Sequence, residues 1–283
     1  MVVSNVENSS RIENQFSGVA EGMQAMDSHD ALKGVVDKSG FPLQVGISHL
    51  IDSATKGLGW RVQYAEHAWR NVEDDLSGFI DLVLENASRN MALVVECKRV
   101  QEVSWVFLSP HPKPHPRRYA RAWVSQYDGG FIKFGWDDFP LDPPSVQSDF
   151  CCVFGQDAKS IPMLERVGST LVSSTEALAK EEKTTLLSDD FNRRAYLNVI
   201  VTTAKLKVCS FDPSDISLKD GTISKCTFDD VPYVRFQKQL SIRFPDSLAF
   251  SVGDTSAVAK AKENTVFVVN SESLLEFVQA LNG

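Results

Sequence analysis

Two short stretches decide how this chain is read: Gly78-Phe-Ile-Asp-Leu-Val-Leu-Glu85 and Ala92-Leu-Val-Val-Glu-Cys-Lys98, joined by the polar segment Asn86 to Asn90. Each has the β-branched and aliphatic content of a strand, and the connection is short enough to make them antiparallel neighbours. In a strand, side chains at i and i+2 share a face, so Glu96 and Lys98 project together. A turn near residues 88 and 89 sets Asp81 almost opposite Glu96, and cross-strand neighbours have Cβ atoms about 5 Å apart. Two carboxylates and an ammonium are thus expected at one end of an otherwise apolar sheet. The run from 92 to 95 is apolar on both faces, as in a central strand. Charges at its end need a partner or a metal ion. Two neighbouring carboxylates raise each other's pKa unless a cation lies between them, and Mg²⁺ accepts such a pair together with water and phosphate oxygens.

Outward from this hairpin, Pro42 suits a first helical turn. Leu43, Ile47, Leu50, Ile51 and Ala54 follow at helical spacing, and Gly57 and Gly59 end the helix. Trp60 to Tyr64 reads as a strand. The prolines at 110, 112, 114 and 116 make residues 109 to 116 an extended loop. Arg117 to Asp128 is predicted as a helix with Tyr119, Ala122, Trp123 and Gln126 near one face, followed by a strand around Phe150 to Phe154. Ser173 and Glu176 have the spacing of a capping box, opening a helix to about Leu187. Tyr196 to Phe211 reads as one long strand with a bend, and Val231 to Phe244 as another. Thr265 to Val269 and a helix from Ser271 to about Leu281 close the chain. One domain is expected over residues 37–283, preceded by a flexible or loosely docked extension, 1–36.

Composition excludes several classes. The 283 residues are 43% hydrophobic and 23% charged, ordinary for a globular protein. No apolar run is long enough to span a bilayer, and the first residues lack the pattern of a secretory signal, so a cytoplasmic protein with no membrane partner is expected. A net charge of −8 argues against coating nucleic acid by charge alone. Cys97, Cys151, Cys152, Cys209 and Cys226 form no C-x-x-C pair and are expected as buried, reduced thiols. No dinucleotide fingerprint, P-loop or nucleophile elbow is present.

Between residues 96 and 123, Lys98, Arg99, Lys113, Arg117, Arg118 and Arg121 are interleaved with Trp105, Phe107, Tyr119 and Trp123. This reads either as a phosphate-tracking groove beside the acidic cluster or as a solvated helix face. On a helix, Arg117 or Arg118 would share a face with Arg121. His111 and His115 flank Lys113 in the proline-rich loop.

Gly78-Phe-Ile-Asp81 followed by Val94-Val-Glu-Cys-Lys98 resembles the PD-(D/E)xK nuclease superfamily, over roughly residues 41–155. The resemblance implies a restriction-endonuclease-like fold: three layers, α/β/α, around a mixed sheet, with a core of helix, three strands, helix and strand. Residues 156–283 would elaborate it. It implies a Mg²⁺- or Mn²⁺-dependent nuclease hydrolysing DNA, with RNA open, in restriction, repair or phage defence. Asp81 and Glu96 would hold the metal and Lys98 would be catalytic. Many members carry an acidic residue on the first helix. This chain has Gln44 near the helix start and Asp52 further on, with Glu66 after the first strand as a further metal candidate. Gln126 would support the site, or be an ordinary polar position. The departure at Gln44, with the acidic charge, leaves a second reading: a non-cleaving subunit of the same fold that binds nucleic acid or scaffolds a complex. A homodimer or a partner subunit would help an acidic protein hold its substrate.

Overall fold

The structure, a computed structural model, describes residues 29–73, 75–101, 103–128, 131–155, 162–183, 193–241 and 255–281. Residues 1–28 of the expected extension, Asp74, Glu102 and the expected helix end at Leu187 lie outside the described residues. Residues 29–38 form a helix, α1 (His29–Lys38), with no buried residue.

Helix α2 (Phe41–Leu58) forms where the apolar spacing requires it. Pro42 sits in its first turn, and Gly59, at φ 70°, caps it by donating its N–H to the Thr55 carbonyl. The strands β1 (Trp60–Asn71), β2 (Leu76–Asn86) and β3 (Met91–Lys98) follow, each antiparallel to the one before. Next come β4 (Ser104–Ser109), β5 (Arg117–Asp128), β6 (Phe131–Ser145), β7 (Gln147–Ser148) and β8 (Cys151–Val153). After them lie α3 (Met163–Glu181), β9 (Arg193–Thr202), β10 (Lys205–Ser210), β11 (Thr227–Asp230), β12 (Tyr233–Gln239), α4 (Thr255–Ala261), β13 (Glu263–Asn270) and α5 (Leu274–Ala280).

Among the described residues the strands form a mixed nine-stranded sheet with the path β1-β2-β3-β9-β13-β12-β7, and a four-stranded sheet, β11-β10-β4-β8. β9 runs parallel to β3 and to β13, so its middle is buried from both sides and both faces. Its sequence, Tyr196-Leu-Asn-Val-Ile-Val201, has the near-continuous apolar content this demands. On one face of the large sheet, Ile47, Ile51 and Leu58 of α2 pack with Leu82, Leu84, Leu93, Val95, Leu197, Val199 and Phe277. On the other, Leu164, Leu171, Val172 and Leu178 of α3 pack with Val83, Val94, Tyr196, Val266 and Val268. Trp105, Phe107, Leu206 and Val208 of the small sheet join that second core. The architecture is therefore α/β, with helices on both faces of a mixed sheet. No helix among the described residues is long and apolar enough to cross a membrane.

Several expectations are corrected. Arg117–Asp128 is a strand, not a helix: β5 pairs with β6 along its length and with the start of β9. Ala120 to Ser125 are all buried, because the strand is covered on both faces and both edges are used. A short run buried on both faces has no period of 2, and the spacing of Tyr119, Ala122 and Trp123 imitates a helix. Ser173 does not begin α3 but sits inside it, where Ser174 Oγ donates back to the Leu171 carbonyl at 2.9 Å. The run from Tyr196 to Phe211 is two strands in different sheets, separated by a turn at Thr203 and Ala204. The thiols are free, but only Cys209 is fully buried, and Cys152 and Cys226 are exposed.

Candidate active site

The β2–β3 ladder stops at Leu82↔Val95. One residue further, the Asp81 carboxylate takes over: its Oδ2 accepts the Cys97 backbone N–H at 2.6 Å. Beyond this point β3 pairs only with β9, through Cys97↔Val201 and Lys98↔Thr202. β1 and β2 continue instead as a two-stranded ribbon, through His67↔Ile80 and Asn71↔Leu76. The sheet parts here, and the side chains of Asp81, Glu96 and Lys98 collect at the fork. Lys98 Nζ lies 2.5 Å from Glu96 Oε1. The convergence expected from the hairpin register is thus present.

Two further residues complete the cluster. Glu66 stands across β1 from Asp81, between the pairs Ala65↔Leu82 and His67↔Ile80. Its backbone has φ 51°, a left-handed conformation that is uncommon for glutamate and costs of order 1 kcal/mol or more. Gln44, buried in the first turn of α2, donates Nε2 to Glu66 Oε1 at 2.6 Å and to the Asp81 carbonyl at 3.0 Å. The helix start is thereby tied to both strands at the fork. A 22-residue separation hides this contact from local pattern, and Gln44 belongs to the expected site only through the superfamily resemblance.

Electrostatics sharpen the picture. Burial raises the Asp81 carboxyl to about 6; the nearby Glu96 and Glu66 add to the rise, and the Cys97 amide and Lys98 offset part of it. Burial, with Asp81 and Glu96 alongside, pushes the Cys97 thiol far above its ordinary range, so it is not a nucleophile at neutral pH. Among the described residues no group of three or more His, Cys, Asp and Glu side chains is arranged to hold a metal. The donors that face one another are Asp81 and Glu96, with Glu66 engaged by Gln44.

The other expected site residues are elsewhere. Gln126 pairs with Arg193 and Lys98 with Thr202, at the two ends of the ten-residue β9, roughly 30 Å apart along the strand. Arg121 is buried and paired with Asp138 at 3.3 Å, and Arg118 is paired with Asp142. With no helix under them, Arg117, Arg118 and Arg121 do not form the expected basic face. Lys113 and Arg117, with His111 and His115, line a separate cleft of about 600 Å³ against Ser148 and Phe150 that shares no residue with the Asp81 cluster. Arg99 alone follows directly on Lys98. Asp52 is on α2, in a cleft with Gln44 and Glu66.

Compared with known proteins, the chain matches no family model, no curated protein and no solved structure.

Proposed function

We infer that this protein is a metal-dependent nuclease of PD-(D/E)xK type, with Asp81 and Glu96 as metal ligands and Lys98 as the catalytic ammonium. The observation that carries the reading is the fork itself. Two carboxylates, Asp81 and Glu96, meet the Lys98 ammonium where two strands separate, Glu66 lies near and is engaged by Gln44, and burial leaves Asp81 with its pKa near 6. The donor set fits a hard divalent ion such as Mg²⁺ or Mn²⁺, which takes one or two carboxylates with water and phosphate oxygens. When bound, such an ion supplies polarisation of a phosphodiester oxygen and acidification of a water. The chain's own residues do the rest. Asp81 is oriented by the Cys97 amide, and Gln44 fixes the spacing of the helix and both strands. Lys98 presents a positive charge where a phosphate would gain negative charge.

The element order also supports the reading. Taking residues 104–153 as an insertion, α2, β1, β2, β3, α3 and β9 run helix, three strands, helix, strand, with the last strand parallel to β3. On this reading the core spans 41–202 rather than 41–155.

The test is incubation of plasmid and single-stranded DNA with Mg²⁺ or Mn²⁺, using wild type and Lys98→Ala. Cleavage by wild type that needs metal and is lost in Lys98→Ala is expected. Cleavage retained in the variant would overturn the mechanism. One observation favours the second reading, a non-cleaving subunit: Gln44 occupies the helix position where an acid is common in the superfamily, and its amide already engages Glu66. Absence of cleavage by both proteins would select it.

A further inference from the structure

The cleft that lies apart from the fork is walled on one side by an uncommon piece of chain. Between β4 and β5, prolines at 110, 112, 114 and 116 alternate with His111, Lys113 and His115, and Arg117 follows. Each proline holds its own φ near −65° and confines the residue before it to extended conformations. The ammonium and the imidazoles are therefore carried on backbone with little freedom left to lose on binding. The backbone N–H groups of His111, Lys113 and His115 meet no acceptor among the described residues.

The opposite wall is fastened to the small sheet. Ser148, 3% exposed, donates Oγ to the Leu108 carbonyl at 2.7 Å, and the Leu108 N–H donates to the Phe150 carbonyl at 3.0 Å. These bonds set the turn between β7 and β8 against the end of β4. They leave the Phe150 ring 57% exposed in the cleft lining, with Lys238 Nζ 5.3 Å from its centroid. At about 600 Å³ the cleft has the size of a small-molecule site.

Charge decides what it can hold. The chain has 37 acids for 29 lysines and arginines, and nearby cations are taken: Arg118 by Asp142, Arg121 by Asp138, Lys238 by Glu165. Lys113 and Arg117 are exposed and pair with no acid among the described residues. Among the described lining residues the one acid is Asp149, whose pKa is raised by burial and by Glu263 against the pull of Lys238. The cations of this cleft thus outnumber its carboxylate, the reverse of the whole chain. Charges further away are screened beyond about 8 Å at physiological salt. A polyanion would run on into the acidic surface, whereas a single phosphate group stays within reach of Lys113 and Arg117. A guanidinium, an ammonium and free backbone N–H groups are donors that phosphate oxygens accept. We propose that this cleft binds a small organic phosphate, with Lys113 and Arg117 on the phosphate oxygens and the Phe150 ring against the organic part. The proposal does not depend on the nuclease reading.

Calorimetric titration of the full chain with phenyl phosphate, inorganic phosphate, benzoate and phenol tests it, in EDTA so that no divalent ion occupies the fork. Phenyl phosphate binds more tightly than inorganic phosphate, and phenol gives no heat. Lys113→Gln and Arg117→Gln each weaken both phosphates by about 10- to 150-fold, the cost of one hydrogen bond to a charged group. Phe150→Ala weakens phenyl phosphate and leaves inorganic phosphate unchanged. Lys98→Ala binds both as wild type does. The loop side chains are exposed, so the melting curves of these variants coincide with wild type. Absence of heat with both phosphates, or affinities unchanged in both loop variants, would overturn the proposal. So would benzoate bound as tightly as phenyl phosphate, which would make the cleft a carboxylate site, or loss of binding in Lys98→Ala, which would move the phosphate to the fork.

Discussion

The sheet carries a cluster of charges at each end of its first strands, and the two clusters obey opposite rules. At the end away from the fork, Arg194 is 4% exposed and lies against Glu85 at 2.6 Å and Glu182 at 3.1 Å. Arg61 adds a second cation on Glu85, Gln63 bridges Arg194 and Glu182, and Tyr196 donates to Glu182 at 2.6 Å. Two carboxylates meet two guanidinium groups, with directed bonds among them. At the fork, Asp81 and Glu96 meet one ammonium, with Glu66 nearby and held by Gln44. Burial pushes Glu85 upward, but the bonds from Arg61 and Arg194 outweigh it and its pKa falls. Burial pushes Asp81 upward too, and there nothing outweighs it. A closed charge balance holds a fold together. At the fork the carboxylates outnumber the cation, and the proposed metal site rests on that imbalance.

The comparison can be broken most forcefully at its balanced end. Arg194→Met leaves Glu85 and Glu182 buried without their shared cation, which costs about 3–5 kcal/mol. Urea unfolding should show that loss, with the metal-dependent activity per folded molecule unchanged. A loss below about 1 kcal/mol would mean the network is not structural.

At the fork, Lys98→Ala should lower metal-dependent cleavage by about 100- to 1000-fold, the range for removing one group that stabilises transition-state charge. Its thermal unfolding should barely move, because the pair with Glu96 is partly exposed. Single-turnover cleavage beside a melting curve checks both.

Asp81→Asn sharpens the contrast through pH. A carboxyl raised from 3.8 to about 6 by folding binds a proton in the folded state that the unfolded chain has released. Its stabilising contribution is complete below pH ~4 and is lost as pH rises through 6. Glu85, lowered by its partners, acts in the other direction and loses its contribution on acidification. Without divalent metal at pH 7, Asp81→Asn should therefore stabilise the protein by about 1–2 kcal/mol after allowance for solvent screening, a rise of a few degrees in Tm. The same change should abolish cleavage. Destabilisation, or an unchanged pH profile between 4 and 6, would contradict the electrostatics of the fork.

The smallest effect is expected at Gln126. It is exposed on β5 at the far end of β9, so Gln126→Ala should change cleavage less than about twofold. A loss beyond tenfold would bring that end of the sheet into the chemistry.

Much of the fork was readable before any coordinates. The hairpin register followed from a short polar turn between two apolar runs, and it placed Asp81 against Glu96 with Lys98 two residues on. α2 was readable from its apolar spacing and its flanking proline and glycines. β5 was not, because a strand buried on both faces shows no alternation; one partner, β6, begins only three residues after it ends, but the other, β9, lies about 70 residues further along the chain. The basic face drawn from Arg117, Arg118 and Arg121 failed with it.

Local sequence determined α2 through the periodicity of one buried face and the β2–β3 hairpin through two apolar runs and a short polar turn, and so brought together the three central residues of the candidate site. Tertiary structure alone decided three things: the break of Tyr196 to Phe211 into two sheets, the tie of Gln44 to Glu66 and Asp81, and the partners that neutralise Arg118, Arg121 and Arg194. The reason is physical. Alternation and turn length act between neighbours in the chain, whereas charge pairing and strand edges are satisfied by whichever groups folding brings close.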